Sequence, residues 1–521
     1  MRRVVLLIIV VLAIAGAGAW YWWSEVLPGP PATLAIVPGD DVIVGPTEEL
    51  QLAADVRDAR GRLISTPPTW TADVPIDATG RLTAPDKTGT YYIQAAIGTL
   101  QTTAKLTVKP GPPKTARVLP ASAAVKPRDT VAFSVTAFDE WGNLVPVTPT
   151  WRVTVGAGAV DQQGIFAAGP AGTSTIAAEV EGITVTATAT AQCVPPRTET
   201  AAGLTFTVVC GGSADVWLNG KGFDAASVTR TIDDAVSAVE ANFHRTLGHR
   251  LNVNVFADKA GFDVGLKQLL RVEPTPFEEG VFIPPSIVAI DWSAPDVPEA
   301  IALHEITHLV VDEMVGRRVA IPFWLHEGLA TVSEFEVSAD TKLISRYCTA
   351  SAAKIGRMPS LDSIATGAGW RAYVNDVGVI AYYYAAQVAS FIAADTTSAS
   401  GLLEKMAGGL PLPAAYAASS GRSFETFTAE LADRSRALAD GYPGVAVTNR
   451  DDGTSVYVAY GQPRGSRVSV TVENARFGGS QTMTANEYGC AMGFLGNNWP
   501  HGTYTVSVSG PAGRATTTLR R

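Results

Sequence analysis

The chain has 521 residues, more than one hydrophobic core can organise, since single cores stop growing at roughly 250 to 300 residues. Its 40 Lys and Arg and 49 Asp and Glu give a net charge of −9, and charged residues make up only 17% of the chain. A hydrophobic content of 46% excludes a disordered chain. Nucleic acid is excluded as a partner because phosphate binding needs concentrated basic residues. We therefore expect several globular domains.

The N-terminal segment 1–23 is the most apolar part of the chain. Two arginines precede an uncharged run that starts at Val4 and closes with the aromatic cluster 20–23. About 20 uncharged residues suit a bilayer span, and the preceding arginines favour a cytoplasmic N-terminus. The segment therefore predicts a single-pass membrane anchor with the rest of the chain outside the cytoplasm. The small residues at 17–19 leave a cleaved signal peptide open, in which case the protein is secreted.

Four cysteines lie in the C-terminal two thirds of the chain, at Cys193, Cys210, Cys348 and Cys490. An even number of cysteines in an exported protein permits disulfides, and four cysteines allow three pairings. The pairing of Cys193 with Cys210 is favoured because these residues flank one short hairpin-like segment. That choice leaves Cys348 with Cys490.

Two stretches, 32–109 and 114–192, alternate β-branched residues with Gly, Pro and Asp, as short strands do. Three residues of the first stretch recur 81 positions later in the second, namely Asp58, Gly61 and Trp70 at Asp139, Gly142 and Trp151. A period of this length fits tandem β-sandwiches better than a solenoid. The Trp, a following D-x-x-G and G-T-x-x-I-x-A resemble bacterial Ig-like domains of group 2. The resemblance implies a stiff spacer, or else a module that binds surface or cell-wall components.

Helical spacing replaces this alternation in the segment 205–440. Val228, Ile232 and Val239 recur along one predicted helix, and two alternating segments predict strands at 251–256 and 286–291. We therefore expect an α+β domain here. The last segment, 443–521, alternates again and predicts a small C-terminal β-sandwich.

The predicted helix from Glu299 onward carries His304-Glu305-Ile306-Thr307-His308. The chain has only six histidines, so H-E-x-x-H arises by chance with an expectation of roughly 0.003. Residues four apart share one helix face, so both imidazoles can bind one Zn²⁺. Glu305 lies beside them and is placed to take a proton from a zinc-bound water. The motif therefore predicts a catalytic zinc site.

A catalytic zinc usually takes a third protein ligand. Glu327 follows His308 after 18 intervening residues, within the sequence W-L-H-E-G-L-A. The spacing H-E-x-x-H-x18-E resembles the gluzincin metallopeptidases, and the resemblance implies a zincin-like fold with His304, His308 and Glu327 as zinc ligands. The neighbouring His326 is the rival ligand, because only one of two adjacent helical residues can face the metal.

Two further side chains are candidates for supporting roles. Glu334 lies seven residues after Glu327 on the same helical face, where it can orient a ligand imidazole or remain a solvated carboxylate. Three adjacent tyrosines follow at 382–384. The resemblance favours Tyr384 as the donor to the reacting oxygen, while Tyr383 remains open and core packing is an alternative for all three.

The substrate is defined less well by the sequence. The G-x-M-E-N motif of related aminopeptidases is absent from the segment 280–291, so an endopeptidase is favoured over an exopeptidase. The predicted strand around 287–290 can pair with an extended substrate.

The sequence as a whole predicts an extracytoplasmic, membrane-anchored zinc metallopeptidase that hydrolyses peptide or protein substrates. One alternative is a non-catalytic surface-binding or adhesion protein whose peptidase fold is inert. Another is a zinc enzyme that acts on a non-peptide amide.

Overall fold

The computed structural model describes residues 2–21, 27–275, 278–294, 297–316, 319–450 and 452–521. The chain divides into two units, each described below by itself. The first unit comprises Met1–Ala124, Val131–Phe166 and Gly172–Thr190. The second unit comprises Val125–Thr130, Ala167–Ala171 and Ala191–Arg521.

The N-terminal segment forms a helix, α1 (Arg2–Tyr21). Trp22 and Trp23 of the expected aromatic cluster lie outside the described residues. Within the described part of the chain, no helix has both the length and the apolar character needed to cross a membrane. The transmembrane helix expected at 1–23 is therefore not found in the part of the chain that the structure describes.

The first unit consists of strands in two successive groups. The first group is β1 (Pro31–Val37), β2 (Asp41–Val44), β3 (Glu49–Gln51), β4 (Ala53–Asp58), β5 (Thr69–Ala72), β6 (Arg81–Thr83), β7 (Gly89–Ile97) and β8 (Leu100–Val108). Its sheets have the strand orders β1-β4, β2-β8-β7-β5 and β3-β6. Alternate residues of these strands, such as Ile93, Ala95 and Leu106, form a buried core, as expected of a sandwich.

The second group repeats this arrangement. Its strands are β9 (Thr115–Leu119), β10 (Ser122–Val125), β11 (Thr130–Ala132), β12 (Ser134–Phe138), β13 (Leu144–Val145), β14 (Thr150–Val155), β15 (Gly158–Val160), β16 (Ile165–Ala168), β17 (Gly172–Val180) and β18 (Ile183–Ala191). The sheets run β10-β18-β17-β14, β11-β16-β15 and β13-β12-β9. Two tandem all-β modules therefore occupy the stretches in which the sequence repeats.

The repeated aspartates have the same task in both groups. Asp58 accepts hydrogen bonds from the backbone N–H groups of Gly29 and Arg62, each at 2.9 Å. Asp139, 81 positions later, accepts equivalent bonds from Gly111 at 3.0 Å and Asn143 at 2.8 Å. Each aspartate thus ties the entry segment of its module to a turn, which explains why the residue recurs.

The repeated tryptophans lie against glycines. Gly80 has φ +83°, and a Cβ there would lie 2.6 Å from the Leu52 carbonyl oxygen and 3.1 Å from Trp70 Cε2. Gly164 has φ +82° and meets Trp151 in the same way. Both the left-handed backbone and the contact with the indole ring therefore require glycine.

The second unit is built on a six-stranded sheet. Its strands are β19 (Arg197–Ala201), β20 (Leu204–Cys210), β21 (Ala214–Asn219), β22 (Leu251–Phe256), β23 (Gly280–Ile283) and β24 (Ile287–Asp291), in the order β19-β20-β21-β22-β24-β23. The pairs β21-β22 and β22-β24 are parallel, and β23 pairs antiparallel with β24. The strand expected to receive a substrate, β24, therefore lies between two neighbours, while β23 lies at the edge.

Ten helices of the described chain accompany this sheet. They are α2 (Ala225–Phe243), α3 (Lys259–Gly265), α4 (Pro298–Val315), α5 (Phe323–Ser333), α6 (Ala339–Lys354), α7 (Gly367–Val377), α8 (Ile380–Thr396), α9 (Ala399–Ala407), α10 (Leu412–Ser420) and α11 (Phe424–Arg436). Asp224 caps α2 by accepting a bond from Ala226 N. The buried face of α2, which includes Ile232 and Val239, packs against α4 in one large core.

The remaining strands form a C-terminal sandwich within the same unit. They are β25 (Gly444–Asn449), β26 (Ser455–Tyr460), β27 (Arg467–Glu473), β28 (Gly478–Thr484), β29 (Ala491–Leu495), β30 (Thr503–Gly510) and β31 (Gly513–Arg520). They form the sheets β25-β26-β29 and β28-β27-β30-β31. Cys348 of α6 is bonded to Cys490, and Cys193 to Cys210, so both favoured pairings are confirmed.

Candidate metal centre

Two neighbouring helices bring three potential metal ligands together. His304 and His308 lie one turn apart on α4, with ring centroids separated by 4.8 Å, and Glu327 lies on α5. The Nε2 atoms of both imidazoles lie 3.4 Å from Glu327 Oε2. The three ligand atoms all lie within 4.8 Å of one another. The structure thus assembles the three side chains that the sequence predicts as zinc ligands.

Two of the three separations between these atoms suit a tetrahedral zinc ion. Bonds of about 2.0 to 2.1 Å at tetrahedral angles place neighbouring ligand atoms roughly 3.3 Å apart. The two measured separations of 3.4 Å match this value. Two imidazoles and one carboxylate also leave a fourth coordination position for a reactant, as in catalytic rather than structural zinc sites.

The helix pair owes its placement to close packing behind the site. Gly328 of α5 faces α8, and a Cβ there would lie only 2.8 Å from the carbonyl carbon of Ala385. Trp324 and Leu325 of α5 are buried in the same core. The glycine after Glu327 therefore allows α5 to approach α8, which presents its own side chains to the site.

A second carboxylate orients one of the imidazoles. His304 Nδ1 lies 2.7 Å from Glu334 Oε1, so the contact expected for Glu334 is confirmed. Burial lowers the pKa of His304, but hydrogen bonds to Glu327 and Glu334 outweigh it and raise the pKa well above its ordinary value. Two carboxylates therefore flank one imidazole, an excess of negative charge that favours a bound cation.

The other imidazole has no such partner. His308 Nδ1 is buried without a hydrogen bond to any described residue. Burial lowers the pKa of His308 to about 4, so the ring is neutral, as a metal ligand must be.

His326, the rival ligand, stacks on His308 with ring centroids 4.4 Å apart and an interplanar angle of 16°. Its Nε2 lies 3.2 Å from Asp312 Oδ1, although not aligned for a hydrogen bond. His326 therefore supports a ligand imidazole and lies outside the ligand group.

The two acidic residues of the centre differ in their affinity for a proton. Burial raises the pKa of Glu327, but His308 and His304 more than offset it, and the pKa lies well below its usual range. For Glu305, burial is also the largest cause and raises the pKa to about 8. Glu327 is therefore held as the anion that a ligand must be, while Glu305 has the higher affinity for a proton of the two.

Glu305 also has the location of a reacting group. Its side chain lines the same cavity as the ligand residues, yet the residue is only 6% exposed. No described residue donates a hydrogen bond to its carboxylate within the structure. The carboxylate thus faces the space that a reactant would enter.

The tyrosine expected to assist the reaction is not at this site. Tyr384 is fully buried, and its hydroxyl donates a hydrogen bond to Pro359 O at 3.3 Å. Its ring packs edge-on against Tyr488 of the C-terminal sandwich. The assignment of Tyr384 is therefore wrong, because the side chain points into the core on the opposite face of α8.

Tyr382 and Tyr383 line the cavity instead. The ring of Tyr382 lies 6.2 Å from that of His304 and 5.3 Å from that of Trp370, measured between centroids. Burial, and then the charge of Glu327, raise the pKa of Tyr382, so its hydroxyl stays protonated and can donate. The sequence contains a pattern that excludes Tyr384 from the cavity. Ile380, Tyr384 and Val388 recur every four residues, which assigns Tyr384 to the buried face of the helix.

The cavity beside the ligand group has a volume of about 650 Å³. Its lining includes carboxylates, such as those of Glu278 and Glu334, and the apolar side chains of Phe323, Trp370 and Val379. Its size and its mixture of apolar and convergent polar groups are those of a small-molecule or peptide site.

Comparisons with known proteins assign no enzyme family. A scan of protein-family models and a search of curated proteins both find no match. A search of solved structures finds domains 4 and 5 of the S-layer protein SbsC, at 18% identity and TM-score 0.18, covering 31% of this chain and 99% of that one. It also finds Yersinia pseudotuberculosis InvD, at 16% identity and TM-score 0.22, covering 34% and 67%.

Another match is FdeC, described as an Escherichia coli adhesin, at 12% identity and TM-score 0.23, covering 35% of this chain and 74% of that one. The eight N-terminal Ig domains of the Down syndrome cell adhesion molecule also match, at 13% identity. The structures found are thus S-layer, adhesin and Ig-domain proteins.

These findings overturn the gluzincin assignment made from the motif spacing. No peptidase model matches the chain, and no zincin is among the structures named. The interpretation of this chain as a gluzincin-type protease therefore has no support from relatives. What stands is a multidomain chain with β-sandwiches and Ig-like neighbours. A short motif fixes the spacing of a few side chains, while family membership requires similarity over a whole domain.

Proposed function

We propose that the second unit is a zinc-dependent hydrolase that cleaves peptide bonds. One observation carries the proposal: two imidazole Nε2 atoms lie 3.4 Å from one carboxylate oxygen, with the carboxylate of Glu305 free in the adjoining cavity. A structural zinc site is closed by its protein ligands, whereas this group of three leaves a position for a reactant. His304, His308 and Glu327 would hold the ion.

The side chains around the centre have separate roles in the proposed reaction. Zn²⁺, when bound, would supply Lewis acidity that polarises a substrate carbonyl and increases the acidity of water. Glu305 takes a proton from the attacking water and returns it to the nitrogen of the broken peptide bond. Tyr382 donates a hydrogen bond to the carbonyl oxygen as negative charge develops there.

The cavity suits an extended peptide. A volume of about 650 Å³ accommodates a few residues, and Phe323, Trp370 and Val379 provide an apolar wall for one side chain. The neighbouring strand β23 is the edge of its sheet, where an extended chain can add by main-chain hydrogen bonds.

The compartment follows from the cysteines. Both disulfides join cysteines of the second unit, and no described cysteine is free. Because disulfides persist in oxidising surroundings, we place the protein outside the cytoplasm. A cell-surface location is consistent with the matched structures, which include an S-layer protein and an adhesin.

The test compares the wild type with Glu305→Gln, which keeps all three ligands. Both proteins should bind one zinc per chain by elemental analysis, and only the wild type should fragment a reduced and alkylated protein. If both fragment it equally, or neither binds zinc, the proposed function fails. Zinc binding without fragmentation would shift the proposal to a non-peptide amide.

A second candidate function is non-catalytic binding at a cell surface through the Ig-like first unit. The matched structures named above include S-layer and adhesin proteins. Their TM-scores of 0.18 and 0.23 are nevertheless too low to argue function for this chain. Binding to intact bacterial cells tests this candidate, because adhesion should be identical for the wild type and Glu305→Gln.

A further inference from the structure

The edge strand of the large sheet touches Glu305 through a residue without a side chain. Gly280 begins β23, and a Cβ built there would lie 2.7 Å from Glu305 Oε1 and 2.8 Å from Glu305 Cγ. It would also lie 2.7 Å from Ile301 Cγ2. The van der Waals contact distance of such atoms is about 3.5 Å, so no other residue fits without displacement.

This glycine is required for space and not for backbone conformation. Gly280 is absent from the glycines with positive φ, so its strand conformation is open to any residue. The contact with Glu305 is therefore the feature that glycine provides here.

The strand cannot easily yield to an added methyl group. Gly280 pairs with Ile290 of β24, and the neighbouring Glu279 carbonyl accepts a hydrogen bond from Asp291 N at 2.8 Å. Ile301 is only 6% exposed and packs in the large core. Glu305 faces the open cavity, so its carboxylate is the group with room to move.

We propose that Gly280 is a positioning residue, whose missing side chain sets the place of the Glu305 carboxylate beside the metal ligands. The proposal rests on the function proposed above. The backbone of β23 lies directly against Glu305 and leaves its carboxylate the room to lie beside the metal ligands. An added methyl group displaces the carboxylate toward the cavity by about 0.8 Å, the difference between the contact distance of about 3.5 Å and 2.7 Å.

Gly280→Ala therefore lowers kcat by roughly 10²-fold, since a misplacement of about 1 Å costs on that order. KM and zinc content stay as in the wild type, because the three ligands are untouched. Gly479→Ala is the matched control: Gly479 also lies in a strand, and a Cβ there would lie 3.4 Å from Trp499, an ordinary contact. Its kcat should equal that of the wild type.

A double-mutant cycle separates positioning from a general structural effect. Gly280→Ala is combined with Glu305→Ala, and the unfolding of the metal-free full-length proteins is followed by calorimetry. The transition that is compared is the one whose midpoint temperature rises when zinc is added to the wild type. Overpacking by Gly280→Ala should lower this midpoint by roughly 2 to 10 °C when Glu305 is present. The decrease should be clearly smaller in Glu305→Ala, where one of the two crowded side chains is gone and only the contact with Ile301 remains.

The role of Gly280 and the proposed function are contradicted by different results. An unchanged kcat in Gly280→Ala, or an equal decrease of the midpoint with and without the Glu305 side chain, overturns the role of Gly280. A wild type that binds zinc and cleaves nothing overturns the proposed function, while the calorimetric cycle still decides whether Gly280 holds Glu305.

Discussion

The repeated aspartates of the first unit and the metal centre of the second unit differ in how their buried polar groups are satisfied. In the first unit, Asp58 and Asp139 are buried, and each accepts hydrogen bonds from backbone groups of its own module. In the second unit, Glu305 is equally buried but accepts no hydrogen bond from any described residue, and His308 Nδ1 has no partner. The bonded aspartates stabilise their modules, whereas the unpaired groups of the second unit lie at the metal centre, where a ligand or a reactant can satisfy them.

The largest effect is expected when one of the three metal ligands is removed. Glu327→Ala leaves two imidazoles without the carboxylate that joins them, so zinc content should fall below about 0.1 per chain and activity should vanish. Elemental analysis after gel filtration measures the loss. Asp139→Ala, the matched removal of a bonded carboxylate in the first unit, should leave the zinc content unchanged; an equal loss in both variants would contradict the contrast between the units.

The next largest effect is expected from Glu334, whose carboxylate contacts the ligand His304. Glu334→Gln weakens the contact to His304 Nδ1, and such changes typically reduce metal affinity by about 10- to 100-fold. Competition with a chelator of known affinity measures the change. Glu336→Gln is the control, because Glu336 lies two residues away in the same 3₁₀ helix, Glu334–Glu336. Equal affinity of Glu334→Gln and wild type would show that Glu334 does not orient the imidazole.

A smaller effect separates neighbouring tyrosines. Tyr382→Phe removes the hydroxyl beside the ligand group and should lower kcat by about 10- to 100-fold at unchanged zinc content. Tyr384→Phe removes only a core hydrogen bond to Pro359 and should lower stability by about 1 kcal/mol without affecting kcat. The reverse pattern would restore Tyr384 as the reacting tyrosine.

The smallest effect on the site comes from the first unit. Gly164→Ala forces a side chain into a left-handed backbone next to Trp151 and should destabilise that module by roughly 1 to 3 kcal/mol. Calorimetry should show a lower midpoint for one transition, while peptide cleavage stays as in the wild type. A parallel loss of cleavage would mean that the first unit supports the zinc centre.

The sequence was sufficient wherever local spacing decides the structure. The recurrence of Asp58 and Trp70 at Asp139 and Trp151 predicted two similar β modules, and the four-residue spacing of His304 and His308 predicted a shared helix face. Pairing of the cysteines also followed, since one pair flanks a hairpin.

The sequence was insufficient wherever contacts between distant segments decide. The face of α8 that meets the cavity depends on its packing against α5 through Gly328, so the sequence favours Tyr384, with Tyr383 open, while Tyr382 and Tyr383 line the cavity. Gly280 lies 25 residues before Glu305, and only the pairing of β23 with β24 reveals their contact. Family membership likewise could not be inferred from a motif of a few residues.

The central claim is that the second unit holds zinc between two helices. Anomalous diffraction at the zinc absorption edge, from crystals of the full-length protein grown with equimolar zinc, tests it most directly. The account predicts one strong peak about 2.0 to 2.2 Å from His304 Nε2, His308 Nε2 and a Glu327 carboxylate oxygen. A peak at other residues, or none at this group, would contradict it.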